Sequence, residues 1–264
     1  MLNTPLMEQV RRSGFTAPKS VIHLFVGGSE LHGAKVGLTD DLDIYGVFLD
    51  PPCITLGLDP RTHFVWSTAS DERRNGPEDV DLTIYSLRRW AHLAAKGNAT
   101  ALHFLFASAT ATSDSIWQSV QSHRELFLSK RSAEQFLGFA DNQLQRITGA
   151  KGRGAKGRRP EYEGKFGYDT KAAMHCLRLY LECAELMEAG RITLPRPERD
   201  YLVEVRSGAW TAEKFLSEAQ RLRKEAELAA LNSKLPERVD MAAISSLIAD
   251  VTLAAWGFPP DRNI

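Results

Sequence analysis

The sequence predicts an α/β (α+β) fold, a mixed sheet built from the first hundred residues and followed by a helical lobe. Three observations carry that expectation. Short runs of β-branched and aromatic residues, ended by glycine turns, are confined to the chain before residue 110. From about residue 112 onward, apolar residues recur at steps of three and four instead. The 264 residues, 43% hydrophobic and 25% charged, suffice to bury a large core with an appended lobe. The expected division is a catalytic domain at 1–110 and a helical domain at 111–264.

Val21-Ile22-His23-Leu24-Phe25-Val26 reads as the first strand, stopped by Gly27-Gly28-Ser29. Leu42 to Phe48 and Val80 to Ile84 read as two more, each with a period of two, and Phe64-Val65-Trp66 offers another. Ser86 is a suitable N-cap for a helix through Trp90, Leu93 and Ala94 that stops at Gly97-Asn98. A short helix follows over Thr100 to Phe106. Phe136, Leu137, Ala140, Leu144 and Ile147 mark the first long helix. The segment from Gly149 to Pro160 is too rich in glycine for a helix and too charged for a core, so a flexible basic loop is expected over 149–165. Helical patterning resumes over Lys171–Ala189, Thr211–Leu231 and Val239–Trp256.

Thirty-three basic residues balance thirty-three acidic ones. A zero net charge excludes a protein that coats nucleic acid through its overall field, while leaving room for a local basic patch. Cys53, Cys176 and Cys183 form no even set, and the last two would stand about 10 Å apart along a helix, beyond disulfide reach. A reducing compartment fits, and with no apolar run long enough to span a bilayer the expected location is cytoplasmic, with no membrane partner. Walker A, Rossmann and G-x-S-x-G patterns are missing, so kinase, dehydrogenase and hydrolase readings lack support.

The most informative pattern is Gly27-Gly28-Ser29 after a strand, then eleven residues, then Asp41-Leu42-Asp43 opening the next strand. Alternation along a strand puts Asp41 and Asp43 on one face and Leu42 and Ile44 on the other. Two carboxylates so close repel each other unless they share a cation, and Mg2+ accepts such oxygen ligands together with phosphate oxygens. Asp79-Val80-Asp81-Leu82 supplies a third carboxylate from a neighbouring strand. Asp81 is the choice, because the strand continues through Thr83 and leaves Asp79 nearer its end. Gly28 permits a tight turn whose N–H groups approach phosphate, with the Ser29 hydroxyl as a further donor. The bland alternative is a hairpin with solvated aspartates at its edge, and the combination of turn, Asp-x-Asp and third aspartate favours a site.

Gly28-Ser29 with Asp41-x-Asp43 resembles the signature of the DNA polymerase beta superfamily. Ser29-Glu30-Leu31-His32-Gly33, Asp41 to Val47, Asp79 to Leu87, Lys96-Gly97-Asn98 and Gly167 to His175 together resemble its RNA-ligase-associated (RlaP-like) branch, over roughly residues 21–190. The resemblance implies a polymerase-beta-like nucleotidyltransferase sheet and a two-metal site in which Asp41, Asp43 and Asp81 hold Mg2+ or Mn2+. It implies transfer of a nucleoside monophosphate from an NTP to a hydroxyl acceptor, an RNA end in the leading reading, with release of pyrophosphate. Nucleotidylation of a protein or small molecule is a second reading, and a non-catalytic nucleotide- or RNA-binding module is a third. The chain departs from the pattern at Ala99, where proline is expected, and in its arginine-glycine loop.

Further candidates surround this centre. His32 follows the turn and is read either as a triphosphate contact or as a turn-stabilising histidine. Lys171, His175 and Arg178 share one helix face, and with Tyr168 and Lys165 before them they are candidate nucleotide-binding residues; an exposed face of a packing helix is the alternative. Lys35 and Thr39 are read as solvated surface. Lys151, Arg153, Lys156, Arg158, Arg159 and Lys165, against Glu161 and Glu163, make the loop a candidate contact for RNA backbone or a nucleotide tail, with a solvated disordered loop as the alternative; Tyr162 and Phe166 are available to stack on bases. His23, Cys53, Cys176 and Cys183 lack metal-ligand spacing and are assigned to packing.

Overall fold

A computed structural model describes residues 5–37, 41–69, 76–107, 111–149 and 160–258. Its strands are β1 (Val21–Val26), β2 (Leu42–Phe48), β3 (His63–Ser67), β4 (Val80–Ser86) and β5 (Thr112–Ser113). Its helices are α1 (Pro5–Arg12), α2 (Gly28–Leu31), α3 (Pro52–Thr55), α4 (Leu87–Ala95), α5 (Ala99–Phe106) and α6 (Ser115–Gln121), then α7 (Arg131–Ile147), α8 (Pro160–Phe166), α9 (Thr170–Ala189), α10 (Arg199–Arg206), α11 (Ala212–Asn232) and α12 (Met241–Ala255).

The sheet order is β3-β4-β2-β1-β5. The chain leaves β2, runs past the place of β4 to form the edge strand β3, and returns antiparallel as β4. That return makes β4 parallel to β2, while β1 pairs antiparallel with β2 and with β5, so the sheet is mixed.

Period-two alternation divides the core between the two faces of the sheet. On one face Leu24, Ile44, Phe48, Leu82 and Ile84 pack against Met7, Val10 and Phe15. On the other, Phe25 and Val47 join Trp90, Phe104 and Trp117 in a cluster that continues through α7, α9 and α11. Phe25 meets Phe104 edge-on at 4.8 Å, and the indole N–H of the buried Trp90 donates to Ala101 O at 3.0 Å. Asp169 caps the start of α9 by accepting from Ala172 N at 2.9 Å, and Gly190 in the left-handed region ends it. Tyr180 OH on α9 donates to Asp141 on α7 at 2.7 Å, and Arg223 on α11 donates to the same carboxylate at 3.1 Å.

The expected strands and long helices appear with ends shifted by a residue or two. Ser86 serves both as the last residue of β4 and as the cap of α4, accepting from Arg89 N at 3.2 Å. Asn98 caps α5, accepting from Ala101 N at 2.9 Å, so Ala99 stands at the first helical position, which suits proline and alanine alike. Phe166 corrects the loop expected over 149–165: residues 160–166 form a helix with Pro160 at its start. The half-buried Phe166 ring covers Gly208, where an added Cβ would come within 2.1 Å of it. Residues 150–159 lie outside the described residues, and with them Lys151, Arg153, Lys156, Arg158 and Arg159; so does Thr39. Among the described residues no helix is long and apolar enough to cross a membrane.

Candidate active site

The parallel pairing of β2 with β4 sets Asp43 directly beside Asp81, and Asp41 lies two residues earlier on the face of Asp43. Ligand oxygens of Asp41, Asp43 and Asp81 all lie within 4.8 Å of one another, and all three residues are half-buried. A donor set made only of carboxylate oxygens suits Mg2+ or Mn2+. Asp79 is placed differently. It is buried, accepts from Thr68 Oγ1 at 3.0 Å and Gly76 N at 2.7 Å, and closes the turn that leads into β4. Asp79 is thus held by its own turn, while Asp81 stands with Asp41 and Asp43.

The glycine turn is cut to the shape of the carboxylates. Gly27 N donates to Asp43 O at 2.8 Å, and Gly28 follows with φ +57. A Cβ on Gly28 would stand 1.9 Å from Asp43 Oδ2, and one on Gly27 would stand 2.3 Å from the Tyr45 ring. Only glycine gives both the left-handed conformation and the close approach at position 28. Ser29, half-buried, is the second residue of α2, and its carbonyl accepts from Ala34 N at 2.9 Å. Tyr45 walls the site. Burial first, then the charges of Asp43 and Asp81 and the neighbouring Tyr85, push its phenol above the ordinary range. Arg178 pulls weakly the other way.

Behind the turn lies a buried charge cluster. Glu182 on α9 is fully buried and receives His32 Nδ1 at 3.0 Å, His103 Nε2 at 3.1 Å and Arg178 Nη1 at 3.1 Å. Arg178 Nη1 also contacts both ring nitrogens of His32, and burial keeps that ring neutral. Burial first, then the Arg178 charge, bring His32 down to about 3. Burial of Glu182 works to raise its pKa, but the Arg178 charge first, and then the two histidines that donate to it, outweigh that and hold it well below the usual carboxylate range. Ligand atoms of His32, His103 and Glu182 also lie within 4.8 Å of one another. The Arg178 guanidinium rests against two of the three, so a cation is already in place and the cluster reads as an ion-pair hub. Around it, Arg196 N donates to His32 O at 3.2 Å and Arg206 Nη1 donates to Ala34 O at 3.1 Å, which fixes the turn to the helical side.

The remaining candidates divide by burial. His32 and Arg178 are buried in the hub, and His175, half-buried, has Nδ1 3.4 Å from Arg178 Nη2. Lys171 is half-buried one turn earlier on the same helix. Tyr168 is buried, stacks on Phe215 at 5.7 Å and donates its OH to Trp210 O at 3.1 Å, so its ring belongs to the core. Lys165 is exposed, with its ammonium 4.9 Å from the centre of the Phe166 ring. Lys35 is exposed and pairs with Glu30 at 3.4 Å. His23 is buried, stacked on Trp117 at 4.3 Å, and burial brings it down to about 3. Cys176 and Cys183 are buried thiols pushed up to about 12 by burial, while Cys53 is exposed. Sequence reasoning passed over Glu182, His103 and Tyr45. Glu182 carried a signal, since it continues the helix face of His175 and Arg178 by one more turn and completes an i,i+4 pair.

The chain is 26% identical over 138 residues to the "Uncharacterized 38.9 kDa protein in nrdC-mobD intergenic region" of Enterobacteria phage T4, a match that spans 51% of this chain and 40% of that protein. Among solved structures, a nucleotidyltransferase-like protein from Exiguobacterium sibiricum aligns with 94% of this chain and 78% of its own, at 14% identity and a TM-score of 0.31. A model of the RNA repair pathway DNA polymerase beta family (RlaP) matches residues 2–249. The chain belongs to the RNA repair pathway DNA polymerase beta family.

Proposed function

We propose that the protein transfers a nucleoside monophosphate from an NTP to a hydroxyl acceptor, with an RNA end as the leading acceptor. The observation that carries this reading is the convergence of Asp41, Asp43 and Asp81 beside a turn whose Gly28 leaves room for the Asp43 carboxylate. The three aspartates would hold Mg2+ or Mn2+. A divalent cation bound there would supply positive charge against the phosphate oxygens and the attacking and departing oxygens. The turn at Gly28-Ser29 would orient the triphosphate through backbone N–H groups and the serine hydroxyl. Arg178, held by Glu182 and felt at Tyr45, would add fixed positive charge behind that turn. The acceptor oxygen forms a bond to the α-phosphorus, the bond from that phosphorus to the bridging oxygen breaks, pyrophosphate departs and the hydroxyl proton passes to solvent. Family membership supports the nucleotidyltransferase class and the link to RNA repair.

The test is incubation of the protein with Mg2+, each α-labelled NTP and total RNA, beside Asp41→Ala/Asp43→Ala. Label is expected to enter RNA with the intact protein and not with the double variant. Label on protein or a small molecule would redirect the acceptor. Transfer that persists in the double variant would overturn the assignment of the carboxylates, and absence of transfer to any acceptor would leave a nucleotide-binding module.

A further inference from the structure

The sheet has a second feature at its other end. Asp43 and Asp81 stand near the starts of the parallel strands β2 and β4, whereas Phe48, Leu49 and Ser86 at the far ends open into a groove of about 950 Å³ between α4 and α12. That volume is at the upper end of the roughly 300–1,000 Å³ usual for ligand sites. Leu87 and Ala91 of α4 line one side and Ile244 and Ile248 of α12 the other; Leu87, Ala91 and Ile244 are buried in the core, so Ile248 and Leu253 with the rim residues are the apolar groups that meet an occupant. Trp256 closes the end, pinned by its indole N–H on Asp50 O at 3.0 Å. Two apolar side chains on the rim face water, Leu56 at 76% and Met241 at 49% exposure.

The charges select the occupant. Arg88, Arg89 and His92 are exposed on one turn of α4 along the groove, and among the described residues neither arginine has a carboxylate partner. Asp50 is the only carboxylate in the lining, and Arg61 holds it. An aliphatic floor with uncompensated cations on one wall is complementary to a helix that carries an apolar stripe beside a row of carboxylates. A single nucleic-acid strand would satisfy the arginines, but it needs exposed rings to stack on, and Phe48 is fully buried while Trp256 is fixed in the wall.

We propose that this groove docks an acidic amphipathic helix of a partner protein, on the end of the sheet opposite the carboxylates. The test is selection of a displayed library of helical peptides on the full chain, with Arg88→Glu/Arg89→Glu as counter-target. Acidic residues in the first turn of α4 favour the helix, so that variant keeps its fold. Enriched peptides are expected to carry Leu, Ile or Phe at steps of three and four beside Asp or Glu. By fluorescence polarisation they should bind at least tenfold more weakly to the counter-target and to Ile248→Glu, and more weakly as salt rises. Peptides that bind the counter-target equally well, or a library that yields none, overturn the proposal. So does an RNA oligonucleotide that needs Arg88 and Arg89 where no peptide does, or self-association of the chain that Ile248→Glu abolishes.

Discussion

Replacing Glu182 by glutamine keeps the shape of the buried hub and removes its negative charge. Three donors converge on this carboxylate at 3.0–3.1 Å: His32 Nδ1, His103 Nε2 and Arg178 Nη1. A glutamine offers one acceptor oxygen, and its amide nitrogen would face a donor. The Arg178 guanidinium, 6% exposed, would stay in the interior without its counter-charge. Breaking a buried pair from one side costs about 3–5 kcal/mol, and burial this deep leaves little solvent screening to reduce it. For a chain of this size each kcal/mol lowers Tm by about 2–4 °C, so Glu182→Gln should melt roughly 6–20 °C below the parent. Thermal unfolding at neutral pH reads the shift. Arg178→Met/Glu182→Leu, which removes both charges in favour of apolar groups of similar size, should recover most of the loss. A Glu182→Gln protein that melts with the parent, or a double variant whose loss equals the sum of the single losses, would refute the hub.

Two further predictions test the turn and the buried histidines. Gly28→Ala forces a side chain into the left-handed region, at about 1–2 kcal/mol, and places Cβ 1.9 Å from Asp43 Oδ2. The melt should fall modestly, while nucleotidyl transfer falls by about a hundredfold because the carboxylate must move; unchanged transfer would sink the role given to the turn. His23 and His32 both lie at about 3 in the folded chain, below the ordinary value of 6.5. The unfolded chain therefore takes up protons first as pH falls, and stability present above about 6.5 is lost progressively down to about 3. Between pH 7 and pH 5 the two histidines should together cost about 4 kcal/mol, read from urea midpoints, and His23→Phe, which keeps a ring on Trp117, should halve that slope. A midpoint independent of pH over this range would show that the buried rings are not held neutral.

What was legible in the sequence was local. The strand-glycine-strand run around Gly28 and the Asp41-Leu42-Asp43 alternation each declare themselves within a few residues, and both strands lie where the period of two put them. The parallel register that sets Asp43 against Asp81 is not local, because it depends on β3 taking the sheet edge before β4 forms. The two-residue β5 is too short to show any period. Tyr168 was a candidate nucleotide contact because the block from Gly167 to His175 resembles the family; its hydroxyl donates to Trp210 O, a partner no pattern around residue 168 reveals. Arg178 and His32 were legible as polar residues on the right elements. Their burial was not, since it requires His32 and His103 to reach α9 from two other places in the chain.

Apolar side chains of similar volume would fill the space of Glu182, Arg178 and His32 with no loss of stability, by the general behaviour of buried ion pairs. What apolar groups lack is direction. Hydrogen bonds from His32 to Glu182 and from Arg178 to His32 fix the orientation of a ring that stands four residues after Gly28, and Arg196 N holds the carbonyl of the same residue. The paired variant Arg178→Met/Glu182→Leu separates the two effects. Recovery of the melt together with recovery of transfer would reduce the hub to packing. Recovery of the melt with transfer still depressed is the outcome expected if the hub serves the turn through direction or through the Arg178 charge, because the packing would be restored and neither of these would.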